Sequence, residues 1–507
     1  MQNVYLLSVL LIPLLTAITI LFLWGKVVAQ KIVGAISSIL YLFAAIMLFN
    51  QALTSGMAIE NVGNWPIGFG IVLVVDQLSA IFLMLCAILS VVAFWYGSSF
   101  IESKASLSIF LPVYFFLLFG LSGAFMAGDI FNLYVWFEVM LVSSFVLFTI
   151  GASRSQLEAS LKYVTINVVS SALFLIGIGI LYGLTGTLNM AMLGKLLPEL
   201  QNQTLATVGA SFFLISFGIK AAIFPLFFWL PATYHTAPIG FTALVVALLT
   251  KVGIYSLIRF FTIIYPLQGT PIQPILLVLA AFTMVVGVFG AAAQTDFRRI
   301  LSFHIVSQIG YMIMGIAIYT PLAIAGALFF VVHNVLVKTN LFFIAGLVGK
   351  LFGTYKLKEL GGIMQKLPFV AILFAISAFS LTGIPPLTGF WGKYLLAKGG
   401  FETGNTLITI VTAVSLGVSL LTLFSMTKIW NEAFWKPFPN ICGDLEPSTN
   451  FRSILKAYPG MLVSIFVLTA IILVISFFPN SSIEWCMSAA ENIINRDMYI
   501  NGILQHN

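Results

Sequence analysis

Glu138, Lys220, Lys251, His304, His333, Lys338 and Lys393 stand inside long hydrophobic runs, where an apolar chain should carry no ionisable group. A charge at membrane depth costs roughly 2.5–3.5 kcal/mol on insertion scales, so it marks function more often than accident. The chemistry these residue types support is proton transfer. Burial disfavours an ammonium or a carboxylate, and a nearby opposite charge restores it. Neutralising or moving Glu138 beside Lys220 would therefore drive a proton off the lysine, a switch made of two charges. Successive lysines repel one another, so a proton arriving at one favours departure from the next. Histidine titrates near neutral pH and suits a relay. The competing readings are plain: lysines that snorkel from helix ends, a fixed Glu138–Lys220 ion pair, and histidines satisfied as packing residues.

Local context strengthens the first reading. Lys220 lies five residues before Pro225, which removes a helical N–H and clashes with the carbonyl of Ala221. A lysine beside a broken turn at membrane depth is a common layout for an ion or proton site. Lys393 follows a similar interruption, Thr382-Gly-Ile-Pro-Pro-Leu-Thr-Gly389. His304 and Gln308 are four apart and share a helix face, as do Asn334 and Lys338; His333 is off that second face. His235, between Pro231 and Pro238, reads as a loop residue, and His506 as tail. Asp76 and Asp129 stand at span ends, where capping a helix explains them.

The elements that hold these groups must be membrane helices. Of 507 residues, 60% are hydrophobic and 8% charged, with mean hydropathy +1.09. Soluble proteins carry roughly 25% charged residues. A span needs about 20 apolar residues. The chain reads as an all-α polytopic membrane protein with fourteen spans: 4–24, 32–52, 71–96, 107–127, 130–150, 163–184, 205–230, 239–264, 274–293, 300–319, 322–348, 369–396, 407–430 and 458–478. The start lacks a basic leader and reads as an uncleaved first span. The loop 54–70 reads as an external hairpin, 439–453 as a polar loop, and the segment from Pro479 as a tail outside the membrane. Most of the 23 lysines and arginines, from Lys26 and Lys31 to Arg452 and Lys456, then fall on one side. The positive-inside rule makes that side cytoplasmic, with both termini outside.

Pro225-Leu-Phe-Phe-Trp229 resembles Pro386-Leu-Thr-Gly-Phe-Trp391, each in a proline-broken span bearing a lysine. The two spans are five helices apart, so repeated units would be inverted. The expected organisation is spans 1–3 (1–103), a first inverted repeat of spans 4–8 (104–266), a second of spans 9–13 (267–437), and a cytoplasmic loop, span 14 and outer tail (438–507). Spans 7 and 12 are the broken ones. Other functions find no support. No Walker A sequence points to ATP. Gly177-Ile-Gly-Ile-Leu-Tyr-Gly183 lies in an apolar helix with no strand before it, which argues packing rather than a nucleotide turn. Cys86, Cys442 and Cys486 form no CxxC pair, and no acidic cluster suits Ca²⁺, so no metal or cofactor is expected. The net charge of +7 fits basic loops rather than nucleic acid.

FNLYVWFEVMLVSSFVLF, GIKAAIFPLFFWLPATYHTAPIGFTALVVALLTKVGIY and FSLTGIPPLTGFWGKY closely resemble the D subunits of Mrp-type multisubunit Na⁺/H⁺ antiporters. These are related to the antiporter-like subunits of respiratory complex I and membrane-bound hydrogenases. The resemblance covers spans 2–13. It implies fourteen helices, the inverted repeats above and a hydrated polar axis along the membrane plane. It assigns Glu138, Lys220, Lys251 and Lys393 to the family's glutamate and lysine positions, and His304 to its polar patch. Several relatives have histidine four residues before the span 11 lysine, where this chain has Asn334 beside His333. The chain also ends too soon for the long lateral helix of some complex I relatives. The function implied is proton translocation within a monovalent cation/proton antiporter of a bacterial plasma membrane. The partners implied are the A, B, C, E, F and G type subunits, with protons and Na⁺ as cargo. Two rivals remain: a proton-pumping membrane subunit of a complex I or hydrogenase type redox enzyme, and a scaffold bundle with fossil charges.

Overall fold

A computed structural model describes residues 3–68, 70–237, 239–437 and 451–505. Most of the expected loop 439–453, with Cys442, and His506 lie outside the described residues. The chain is a helical bundle with one small hairpin. It opens with α1 (Val4–Phe22) and α2 (Val27–Thr54), then strands β1 (Ala58–Asn61) and β2 (Val72–Val75). Next come α3 (Gln77–Phe100), α4 (Lys104–Met126), α5 (Ile130–Thr149), α6 (Arg154–Thr185) and the short α7 (Met190–Leu196). The first broken span is α8 (Gln203–Ala221) with α9 (Trp229–Tyr234). It is followed by α10 (Ile239–Arg259), α11 (Ile272–Ala293), α12 (Phe297–Ile318), α13 (Pro321–Phe352) and the single turn α14 (Ile363–Lys366). The second broken span is α15 (Pro368–Thr382) with α16 (Thr388–Phe401). The chain closes with α17 (Thr406–Ile429), α18 (Phe451–Ala457), α19 (Pro459–Phe477), α20 (Pro479–Ile494) and α21 (Arg496–Leu504). Among the described residues, 13 helices are long and apolar enough to cross a membrane; the α15–α16 pair occupies the place of span 12.

Two boundaries differ from the sequence reading. Span 3 was expected from Ile71, but Val72–Val75 is a strand, antiparallel to β1 with Ala58 opposite Val75. Its β-branched run suits a pleated edge, and Asp76 then starts α3 by accepting from the Ser79 amide at 2.9 Å. The expected hairpin is thus present but takes its second strand from the start of the expected helix. The segment from Pro479 is likewise ordered as α20 and α21, whose Cys486, Ala489, Ile493, Tyr499 and Ile503 are buried. Small side chains on one face of α20 let it lie against α13 and α3.

Burial sorts the helices into an interior and a rim. α10, α12 and α13 are buried for nearly their whole membrane length, whereas α1, α2 and α17 expose Leu15, Ile32, Phe43, Leu420 and Phe424. Exposed leucine and phenylalanine are natural where the solvent is lipid. The three interior helices carry Lys251, His304, Gln308, His333, Asn334 and Lys338, all 1% exposed or less.

Candidate functional site

Each broken span leaves backbone groups that lipid cannot satisfy, and the protein satisfies them itself. α8 ends where Ala222 turns left-handed, at φ 63°. Past the break, Phe224 N–H donates to Thr283 of α11 at 3.1 Å, and the Trp229 indole donates to the Ile219 carbonyl at 2.9 Å. α15 ends at Gly383, φ 92°. There Lys393 Nζ reaches the carbonyls of Thr382 at 2.8 Å and Leu381 at 3.3 Å, and the Trp391 indole donates to the Pro386 carbonyl at 3.2 Å. Lys220 lies in the last turn of α8, and Lys393 reaches the carbonyl end of α15. An ammonium is favoured at the carbonyl end of a helix. Each break therefore pairs one lysine with one half-helix C-terminus and one tryptophan.

Glu138 lies on α5, which Asp129 caps through the amides of Phe131 and Asn132 at 2.8 and 2.9 Å. The carboxylate is half-buried and accepts a hydrogen bond from Ser171 of α6. Lys220 is 5% exposed, with Nζ 4.6 Å from the Phe137 ring centroid. It is within electrostatic reach of Glu138, yet the ion pairs of the described residues do not include the two together. The fixed ion pair is therefore not what forms. A cavity of about 20 Å³ touches Lys220, Tyr163, Asn167 and Leu249, room for roughly one water.

α8 and α10 approach closely just beyond this cavity. A Cβ on Gly253 would stand 2.7 Å from the Ala221 amide nitrogen, so glycine is what lets the two helices touch. Lys220 and Lys251 flank that contact in their own helices. Lys251 is fully buried and its Nζ has no protein partner among the described residues. Lys338 of α13 is within electrostatic reach of both Lys251 and Lys393, and its Nζ lies 3.4 Å from the Leu301 carbonyl of α12. His304 and His333 are each within reach of Lys338 and Lys393. His304 Nε2 bonds Ser425 at 2.5 Å, and His333 Nδ1 bonds Thr388 at 2.8 Å, itself bonded to Ser380 at 2.7 Å. The second nitrogen of each histidine, both amide atoms of Gln308 and both of Asn334 have no protein partner among the described residues. His235 hydrogen-bonds the Pro231 carbonyl at the end of α9, away from the row, as a loop residue should.

The structure thus brings Lys251, Lys338, His304, His333 and Lys393 together, and sets Glu138 and Lys220 together at the other end. Sequence reading missed the small polar neighbours Ser171, Asn167, Thr388, Ser425 and Tyr311, whose ring lies 5.1 Å from Lys393 Nζ. A signal existed for two of them: Asn167 and Ser171 are four apart in an apolar run. It also missed the partner of Arg259, which forms a buried pair with Asp76 at 2.6 Å. Among the described residues no group of three His, Cys, Asp or Glu could hold a metal ion.

Residues 127–422 match the family model described as NADH:quinone oxidoreductase/Mrp antiporter, TM. The chain is 40% identical over 505 residues to the D subunit of the Na⁺/H⁺ antiporter from Alkalihalophilus pseudofirmus, covering 100% of both chains. It is 37% identical to the protein of the same name from Bacillus subtilis, covering 99% of this chain and 100% of that one. Among solved structures, a chain of the Mrp complex from Dietzia sp. DQ12-45-1b superposes with TM-score 0.90 at 27% identity, over 99% of this chain and 100% of that one. A chain of the archaeal membrane-bound sulfane sulfur reductase superposes with TM-score 0.87 at 23% identity, over 98% and 99%. The last of these likenesses is one of fold.

Proposed function

The chain belongs to the NADH:quinone oxidoreductase/Mrp antiporter transmembrane family, and on that premise we propose that it passes protons along the row Glu138, Lys220, Lys251, Lys338 and Lys393, with His304 and His333 as side relays. It is a multi-pass membrane protein and a D-type subunit of a multisubunit Na⁺/H⁺ antiporter, working with other Mrp subunits. One observation carries the proton row. Lys220, Lys251, Lys338 and Lys393 are 5%, 0%, 0% and 8% exposed, and none has an acidic ion-pair partner among the described residues. Burying an unpaired ammonium is among the costliest things a fold can do. The carbonyls that Lys338 and Lys393 reach do not neutralise the charge, so the use of four in one file is in the charge itself. Buried polar atoms are ordinarily paired with protein or water, which makes the orphaned amides of Gln308 and Asn334 and the histidine nitrogens the natural holders of bridging water.

The division into 1–103, inverted repeats 104–266 and 267–437, and 438–507 is supported by the two breaks with their matching lysine and tryptophan. The basic loops favour both termini outside, and the bacterial D-subunit relatives favour a bacterial plasma membrane. Coupling follows from the geometry: Glu138 acts on Lys220 by field and without a bond, so its protonation biases the next proton step. Lys393→Met keeps the length and volume of the side chain and removes the proton carrier. It is expected to lower Na⁺-dependent proton exchange in everted vesicles by on the order of 100-fold after normalisation to complex content on a native gel, because the α15 carbonyls also lose a donor. Exchange within twofold of the parent would sink the row. Redox driving is the rival within this family, and NADH separates the two: Na⁺ flux by the purified assembly should be indifferent to it.

A further inference from the structure

A crevice of about 110 Å³ opens on the face that carries the β1–β2 hairpin and ends at Asp76. It is entered past the exposed Gly56 and Met498 and walled by Gln77, Asn492 and Tyr499. A water needs roughly 10–15 Å³, so the crevice admits several. Asp76, which lines it, is one half of an ion pair. Arg259 Nη1 and Nη2 each donate to an Asp76 oxygen at 2.6 Å. Nη2 also donates to Ser79 Oγ at 2.9 Å, and Ser79 Oγ shares a hydrogen bond with the Tyr255 hydroxyl at 3.0 Å. Tyr499 is 3% exposed, and its hydroxyl has no protein partner among the described residues. Below the pair, Tyr255 is one turn of α10 from Lys251, on the same face. The rings of Phe82 and Phe125 pack on Tyr255 at 5.2 and 5.0 Å and fill the space around that turn.

Resting on the proton row argued above, we infer that this is the port through which Lys251 exchanges protons with water on the hairpin side, with Asp76 as the group that carries the proton across. The proton leaves the Lys251 ammonium, whose Nζ bonds no protein group among the described residues, and reaches the Tyr255 and Ser79 hydroxyls when the Tyr255 hydroxyl leaves the Phe125 carbonyl it bonds at 2.8 Å. The Asp76 carboxylate gains it as Arg259 lets go, crevice water takes it, and the pair re-forms. Arg259 is a positioning residue, and the Phe82–Phe125–Tyr255 rings keep the path shut between transfers. A structural staple explains a bidentate pair. It does not explain why a water-sized crevice reaches Asp76, or why a crevice residue, Tyr499, keeps a buried hydroxyl with no protein partner among the described residues.

The test separates staple from port. The double variant Asp76→Asn with Arg259→Gln removes both charges, and the asparagine oxygen can still accept from the Ser79 amide that caps α3. It is expected to assemble normally in everted vesicles and to lose at least tenfold of Na⁺-dependent proton exchange, read with a ΔpH-sensitive dye. Parent-rate exchange in that variant overturns the port. Should the double variant not assemble, Tyr499→Phe decides: it removes one oxygen, and exchange slowed at least threefold supports the port while the parent rate overturns it. Gln77→Cys, in a chain whose own cysteines are replaced, should react with a membrane-impermeant maleimide applied from the hairpin side of the assembled complex; failure to react also overturns it. Glu138→Gln runs alongside as the control. If it too exchanges at the parent rate, the proton row fails, and not the port alone.

Discussion

Glu138→Gln is expected to leave the complex assembled and to cut Na⁺-dependent proton exchange by on the order of 100-fold or more. The substitution is nearly isosteric, and its carbonyl oxygen can still accept from Ser171 as Glu138 does. What disappears is a charge within reach of Lys220. Because the two are not bonded, loss of the carboxylate leaves no broken ion pair to destabilise the fold; a truly buried pair would cost roughly 3–5 kcal/mol when one partner goes. The measurement is therefore paired: complex content by native gel, and exchange by dye response to added Na⁺. Normal content with lost exchange assigns Glu138 to transport. Lost content would return it to structure, and near-parent exchange would remove it from the path.

Gly389→Ala is the second large effect, and it acts on the fold. A Cβ at this position would stand 1.9 Å from the Ser380 carbonyl oxygen and 2.9 Å from the His333 ring. Neither is the loose end of a flexible side chain. To relieve the overlap, α16 must back away from α15, taking Thr388 off His333 and Lys393 off the Thr382 carbonyl. Overpacking of this kind costs about 1–3 kcal/mol and at times more. The variant should melt several degrees lower as purified complex and exchange poorly. Gly417→Ala serves as the control, since its added methyl meets nothing within 4 Å. Equal melting of the two would show that the second break is more compliant than its packing implies.

Much of this was legible in the chain because lipid is a strict solvent. Apolar runs of the right length had to be helices, and Pro225 and the Pro385-Pro386 pair announced where two of them break. The start of α3 was not legible. A Val-rich run before Asp76 fits strand and buried helix equally well by composition, and pairing with β1 decided it. Nor was the Arg259–Asp76 pair legible: the two residues are 183 positions apart. The amphipathic α20 was hidden because its polar residues suggested a tail, although its small residues face the bundle.

The residue types and their depth came from the order of amino acids alone: which groups can hold a proton, that they sit in apolar surroundings, and that lysines accompany both breaks. Those are local properties, set by side-chain chemistry and by the hydropathy of the neighbours in the chain. Tertiary packing decided which of them meet. It left Glu138 beside Lys220 without a bond, gathered Lys338 and the two histidines around Lys393, and closed Asp76 on Arg259. Distances between helices depend on where a glycine such as Gly253 permits contact, and no periodicity within one helix encodes the register of another.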